Sequence, residues 1–297
     1  MSAVPPPLDA TLVAGLKRLQ LAHFRAVAAE TLQTATTQRW APEALLRALI
    51  TTEVTGRAAA NQSTRLKAAG FPVAAGAKSF DDFQVAASSV PPATVAYLAS
   101  LEWLRARENL CLVGPAGTGK SHLLVAAGRA AVLAGYRVKY AVAADLVETL
   151  YRGLADNTVG KVIDGLLRHD AILVDEMGFA PLDDVGTQLL FRFVAAAYER
   201  RSLGVASHWP FDQWGRFLPQ QSTAASLLDR LLHHAVIVVT AGDSFRMKEA
   251  RSRAGLPTAV PTGGAGAHPL GGAVADTTTT PVFPPNRATR RTADGHP

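Results

Sequence analysis

Apolar residues at helical spacing open the chain. Leu12, Leu16, Leu19 and Phe24, with Val13 and Val27 nearby, keep roughly to one face of a helix that begins at Asp9. Pro42 stands where a first helical turn accepts it, and Leu45, Leu46, Leu49, Ile50 and Val54 carry a second stripe. A third, short helix is expected over Ala58–Ala69, closed by Gly70. From 109 onward the pattern changes to short apolar runs separated by helical stretches. The runs are 109–113, 137–142, 171–174, 203–206 and 235–239. Helices are expected over 93–108, 120–134, 145–152, 159–169, 187–200, around 211–217, and over 224–233. Strands alternating with helices predict an α/β fold, a parallel sheet sandwiched by helices, with ligands at the carboxyl ends of the strands.

That pattern divides the chain. Residues 1–75 form a small helical N-terminal domain and 76–92 a linker, in which Phe80 and Phe83 would anchor on the next domain. Residues 93–253 form the α/β domain. Residues 254–297 are rich in Gly, Pro, Ala and Thr without any period, which predicts a disordered tail.

Composition adds three constraints. At 48% hydrophobic and 18% charged, the chain has the means to build a real core. Its net charge of +6 is concentrated at the front, where residues 1–75 hold eight Lys or Arg against four Asp or Glu. Such an excess suits either a solvated helical face or contact with a nucleic acid. The single cysteine, Cys111, excludes an intrachain disulfide and lies in an apolar run, so a buried structural thiol is expected. No apolar run is long enough for a membrane span, and the start Met-Ser-Ala-Val-Pro-Pro-Pro lacks a signal-peptide layout. The expectation is a cytoplasmic protein with no membrane partner.

The candidate chemistry centres on Gly114-Pro-Ala-Gly-Thr-Gly-Lys-Ser121, which fits the phosphate-loop pattern G-x-x-x-x-G-K-[ST] at every fixed position. Glycines at 114, 117 and 119 let backbone N–H groups approach phosphate oxygens, with Pro115, Ala116 and Thr118 completing the loop and His122 following it. Lys120 supplies a point charge for the β- and γ-phosphates, and Ser121 a hydroxyl for Mg²⁺. An apolar strand precedes the loop and a helix follows it, so the helix dipole faces the same anion. A nucleoside triphosphate and Mg²⁺ are the expected ligands. Ile172-Leu-Val-Asp-Glu176 supplies two carboxylates at a strand end. Asp175 is expected to serve Mg²⁺, and Glu176 to polarise a water for attack on the γ-phosphorus. Ser207 and His208, just past a central strand, would reach towards the γ-phosphate. Arg230 and Arg246 are candidate transition-state cations.

Beyond the loop, the runs Leu173-Val-Asp-Glu-Met-Gly178, Glu199-Arg-Arg-Ser202, Leu227-Leu-Asp-Arg-Leu-Leu-His-His234 and Gly242-Asp-Ser-Phe-Arg246 resemble the IstB family. These are AAA+ helper ATPases of bacterial transposition, related to DnaC-type helicase loaders, and the resemblance spans roughly residues 8–253. It implies a P-loop AAA+ domain over 93–253 and ATP hydrolysis to ADP and phosphate. It also implies a homo-oligomer in the ATP-bound form on duplex DNA, which is delivered to a transposase. By the same match Arg230 corresponds to an arginine finger reaching a neighbouring subunit, Arg246 to a second sensor and Ser207-His208 to a first sensor. The family usually carries Ser-Asn there, so His208 is a departure. Two other readings remain open: a loader of a replicative helicase, and an ATP-gated DNA-binding scaffold with little hydrolysis. A small-molecule kinase is the weakest reading, because two carboxylates beside the loop suit attack by water.

Overall fold

The computed structural model describes residues 5–73 and 78–253. The tail expected over 254–297 lies outside the described residues, which belong to one compact unit, Met1–Leu256.

Helix α1, Ala10–Arg18, starts at Asp9, whose carboxylate accepts the Thr11 and Leu12 amides at 2.9 and 3.2 Å. The face expected to continue to Val27 is instead interrupted. Gln20 takes a left-handed conformation, φ 57°, which ends the first helix, and α2, Ala22–Thr37, begins after it. The turn is held by Arg57, which donates to the Gln20 carbonyl at 2.6 Å. In the other direction, the two helices expected over 42–69 are one helix, α3, Pro42–Ala69, closed by left-handed Gly70 as expected. Gly56 does not break it, because a side chain there would collide with the His23 ring of α2. That glycine is a crossing point rather than an end.

The stripe expected on α3 is mostly not a buried face. Leu49 is enclosed, but Leu46, Ile50 and Val54 are 56, 55 and 61% exposed. Helices α2 and α3 meet instead through small residues, Ala28 and Ala35 among them, and through a buried carboxylate. Glu53 accepts the Phe24 amide at 2.8 Å and the Arg57 guanidinium at 2.6 Å, and so caps α2 from the neighbouring helix. The far end of α3 reaches the sheet layer. Gln62 donates to the Leu133 carbonyl at 3.1 Å, Ala69 is fully enclosed, and Leu66 and Phe71 pack on the same cluster.

Phe83 is buried and Phe80 packs beside it, the anchoring expected of the connector, which carries one helical turn at Val85–Ala87. The helix expected over 93–108 is broken into α4, Pro92–Ser100, and α5, Glu102–Arg105, by left-handed Leu101. Leu98, Leu101 and Trp103 are all buried, and one straight helix would turn Trp103 away from the face that Leu98 and Leu101 share.

The sheet follows the expected alternation: β1 Asn109–Val113, α6 Lys120–Leu133, β2 Val138–Val142, α7 Ala143–Ala155, α8 Val159–Leu166 and β3 Ala171–Met177. It continues through α9 Asp184–Ala197, β4 Ser202–Ser207, a 3₁₀ turn at Phe211–Arg216, α10 Gln221–Leu232, β5 Ala235–Val239 and α11 Phe245–Arg253. All pairings are parallel, in the order β2-β3-β4-β1-β5. Successive strand residues feed opposite layers. Leu110, Leu112 and Leu173 join the layer of α4, α5 and α6, while Cys111, Ile172 and Val174 join that of α7 to α10. Burial pushes the Cys111 thiol up to about 12, as befits a structural cysteine. Asn109 pins three elements: its side chain accepts the Leu203 amide and donates to the Leu231 carbonyl, both at 2.9 Å. Among the described residues no helix is long and apolar enough to cross a membrane.

Candidate functional site

The loop between β1 and α6 lies at the carboxyl edge of the sheet, where it opens on a cavity of about 290 Å³. Residues Gly117–His122 line one side, and Asp82, Phe83, Gln84, Ser88 and Phe245 line the other. The loop owes its shape to close approaches. Gly117, at φ 80°, lies against Ser244, and any side chain there would overlap it. The Gly117 carbonyl in turn accepts the Phe245 amide at 3.0 Å and fixes the start of α11. The Thr118 and Thr240 hydroxyls, 2.6 Å apart, tie the loop to the residue after β5. His122 lines the cavity and is held from the connector side: its Nε2 lies 2.8 Å from the Ser79 carbonyl, and its ring meets Phe83 edge-on at 5.4 Å. It thereby fastens the connector over the start of α6.

Lys120 is buried, and its Nζ donates to the Gly114 and Pro115 carbonyls at 2.6 Å each. Burial pushes its pKa down, Asp175 works against that shift, and Arg246 adds to it. The ammonium thus feels both the acid of β3 and the guanidinium of α11. Arg246 lines the same cavity.

Asp175 is the most constrained acid of the site. One carboxylate oxygen accepts Ser121 Oγ at 3.1 Å and the Glu176 amide at 2.9 Å; the other accepts the Tyr140 hydroxyl at 2.9 Å. Tyr140 on β2 is buried, and burial, reinforced by Asp175, raises its pKa, so it stays a protonated donor. No motif in the sequence marks this residue. Its signal was the alternation Val138, Tyr140 on a strand that a parallel sheet could set beside β3.

Glu176 stands apart. It lies at a register irregularity between β3 and β4, in the left-handed region at φ 58°, and is exposed while its neighbours are buried. A bulge re-aims a side chain, and backbone strain in a non-glycine residue concentrates at functional positions. Asp175 therefore faces the loop, whereas Glu176 lines a smaller apolar pocket with Val142, Met177, Phe179 and Phe217.

β4 lies between β3 and β1, as expected. Ser207 joins its neighbours structurally: its hydroxyl donates to the Met177 carbonyl at 2.8 Å, and its carbonyl accepts the Gly114 amide at 3.2 Å. The His208 ring packs against Trp209, tilted by 46° with centroids 4.6 Å apart. Desolvation first, and then the Lys120 charge, hold its pKa below 6.5, so near neutral pH it is an uncharged imidazole. The pH sensitivity that an unperturbed imidazole would show therefore moves to more acidic conditions. Arg230 does not line the cavity. Its guanidinium lies 5.0 Å from the centre of the Phe191 ring and donates to the Ser226 carbonyl at 2.9 Å.

The loop's inner surface, the Ser121–Asp175 pair and the buried lysine match the requirements of a triphosphate with a hard cation. With the sheet order, they define a P-loop ATP-binding protein of the AAA+ class. The pattern of the IstB-like ATP binding proteins of IS21 type matches residues 14–254, and this chain belongs to that family. It is 32% identical over 244 residues to a Pseudomonas aeruginosa protein named for insertion sequence IS21 and for ATP binding, covering 82% of this chain and 91% of that one. A Geobacillus stearothermophilus protein named for insertion sequence IS5376 is 31% identical over 204 residues, covering 68% and 80%. Among solved structures, a crystal structure of DnaI matches at a TM-score of 0.49 and 18% identity, over 58% of this chain and 95% of that one.

Proposed function

We propose that the protein hydrolyses ATP to ADP and phosphate with Mg²⁺, assembles head to tail with copies of itself on duplex DNA, and delivers that DNA to a transposase. In this reading Ser121 and Asp175 hold the cation, with Tyr140 fixing the carboxylate. Lys120 and the N–H groups of the loop hold the β- and γ-phosphates, and Arg246 completes the cavity from α11. The cation supplies charge neutralisation at the phosphates. Glu176, which the bulge turns into the neighbouring pocket, swings back towards the γ-phosphate to accept a proton from the attacking water while the bond between the β,γ-bridging oxygen and the γ-phosphorus breaks. His208, as a neutral donor, does the work of an amide at the first-sensor position.

The observation that carries the assembly is the separation of Arg230 from the cavity that Arg246 lines. A finger residue held outside its own site suits a neighbour's, and such a heterologous contact builds a ring or a helical filament. A guanidinium added at the transition state is worth about 10³-fold or more. Arg230→Ala and Glu176→Gln are each expected to be nearly inactive, and mixing them under subunit exchange restores turnover through hybrid sites. Failure to restore it, with both variants assembled, rejects the arrangement.

Residues 1–75 are proposed to contact the DNA. Arg47 and Arg57 are engaged with Glu43 and Glu53, and Arg65 donates to the Gly135 carbonyl, so Lys17, Arg18, Arg25, Arg39 and Lys67 carry the assignment; among the described residues these five form no ion pair. Since α3 ends inside the sheet layer, charge reversal tests this more cleanly than deletion. Lys17→Glu with Arg18→Glu should weaken duplex binding and flatten its salt dependence, measured by anisotropy at several ionic strengths. An unchanged salt slope counts against the assignment. The insertion-sequence relatives support the transposase as the partner.

A further inference from the structure

Outside the nucleotide cavity, the turn after α9 and the end of α10 bring three metal-ligating side chains together. Glu199, His233 and His234 each offer one ligand atom, and these atoms all lie within 4.8 Å of one another. Glu199 does so from a left-handed backbone, φ 55°, a conformation uncommon outside glycine. The two imidazole rings lie 4.1 Å apart. Tyr198 supplies the supporting contact: its hydroxyl is 2.8 Å from His233 Nδ1, which orients that ring and leaves Nε2 for an outside ligand.

We propose that Glu199, His233 and His234 bind one divalent cation of the zinc type. Two imidazoles and a carboxylate favour such a borderline metal over Mg²⁺ or Ca²⁺, which take oxygen ligands. Ligand atoms at ~2.0–2.1 Å in tetrahedral array are roughly 3.4 Å apart, so closing from the present spacing needs a movement of just over ~1 Å. All three side chains are exposed, and the Tyr198 contact holds only the Nδ1 side of His233. Exposure also leaves the fourth position to water. Asp229 adds favourable charge nearby and Arg230 opposes it, both close enough to act on the Tyr198 hydroxyl. Arg201 is turned away, donating to the Leu167 carbonyl at 2.7 Å. A cation here ties the α9–β4 turn to the residues that close α10, three and four positions beyond Arg230. The site does not depend on the function proposed above.

The test is calorimetric titration of zinc sulfate into the untagged full chain, without nucleotide and with excess Mg²⁺. One zinc per chain is expected. His234→Gln and Glu199→Gln should each weaken it by more than about tenfold, and Tyr198→Phe by about tenfold. Absence of binding, or affinity unchanged in the two ligand variants, overturns the proposal. Copper(II) in the wild-type chain gives a check independent of any variant: a paramagnetic resonance spectrum split by two imidazole nitrogens supports the site. Splitting by one nitrogen or none overturns it.

Discussion

Leu46, Ile50 and Val54 repeat every four residues along α3 and remain more than half exposed, whereas Leu110, Leu112, Leu123 and Leu173 around the sheet are completely enclosed. The two regions are held together differently. The sheet layers rest on large side chains packed from both faces. The helical arm rests on alanine and glycine contacts, the Glu53 carboxylate and the Arg57 guanidinium. An apolar repeat is therefore evidence of a helix in both regions, but evidence of burial only where a second layer lies opposite. The same difference separates their chemistry: the phosphate loop grows from the rigid layer, and the basic residues from the arm.

The largest effect that tests this division is on nucleotide. Lys120→Ala should weaken ATP binding by about 10- to 100-fold, the worth of a charged hydrogen bond in a buried site. Glu176→Gln, at an exposed bulge, should keep binding and lose turnover. An equilibrium titration with a fluorescent ATP analogue decides it, and unchanged affinity in the lysine variant contradicts the loop assignment.

Stability separates the regions next. Leu173→Ala should cost about 2–5 kcal/mol, the range for a large core deletion, while Ile50→Ala should stay within about 0.5 kcal/mol. Urea unfolding of the two variants measures this. A comparable loss at Ile50 would show that the arm's stripe is covered in solution.

Tyr140→Phe keeps the ring and removes the donor to Asp175. Mg²⁺-dependent turnover should then need about tenfold more cation, as for other supporting contacts to metal ligands, with overall unfolding only slightly changed. A magnesium titration at saturating ATP reads it; an unchanged midpoint would make the tyrosine a packing residue alone.

The smallest effect concerns acid. The Phe24 amide first, and then Arg57, hold the Glu53 carboxyl below its ordinary value. A depressed folded pKa stabilises above the unfolded value, near 4.5, and that stability is lost as pH falls through the folded value. Protection of the amides in the first turn of α2, relative to their intrinsic exchange, should fall as the pH drops below about 4.5, ahead of protection in β1 and β3. Glu53→Gln should remove the pH dependence, and simultaneous opening of both regions would erase the contrast.

Much of the site was legible because its constraints are local. A phosphate loop needs glycines, a lysine and a hydroxyl within eight consecutive positions, and a strand ending in Asp-Glu needs only its own apolar run. Residues 114–121 and 175–176 carry that information in order. Tyr140 escaped because its partner lies 35 residues away, and its role exists only once β2 pairs with β3. The breaks at Gln20 and Leu101 escaped for a similar reason. Non-glycine residues in left-handed backbone leave no compositional mark, and distant contacts hold them there.

What the sequence by itself determined is the alternation of strands and helices, the loop that receives a triphosphate, and the acidic end of β3, all of which follow from period and residue type within short windows. Tertiary structure alone decided that Asp175 faces Ser121 and Tyr140 while Glu176 turns outward, that Arg230 stays out of its own cavity, and that Glu53 serves as a cap. These are pairings between elements far apart in the chain. Side-chain direction at a bulge, and burial on a helix face, depend on what packs opposite, which no local pattern encodes.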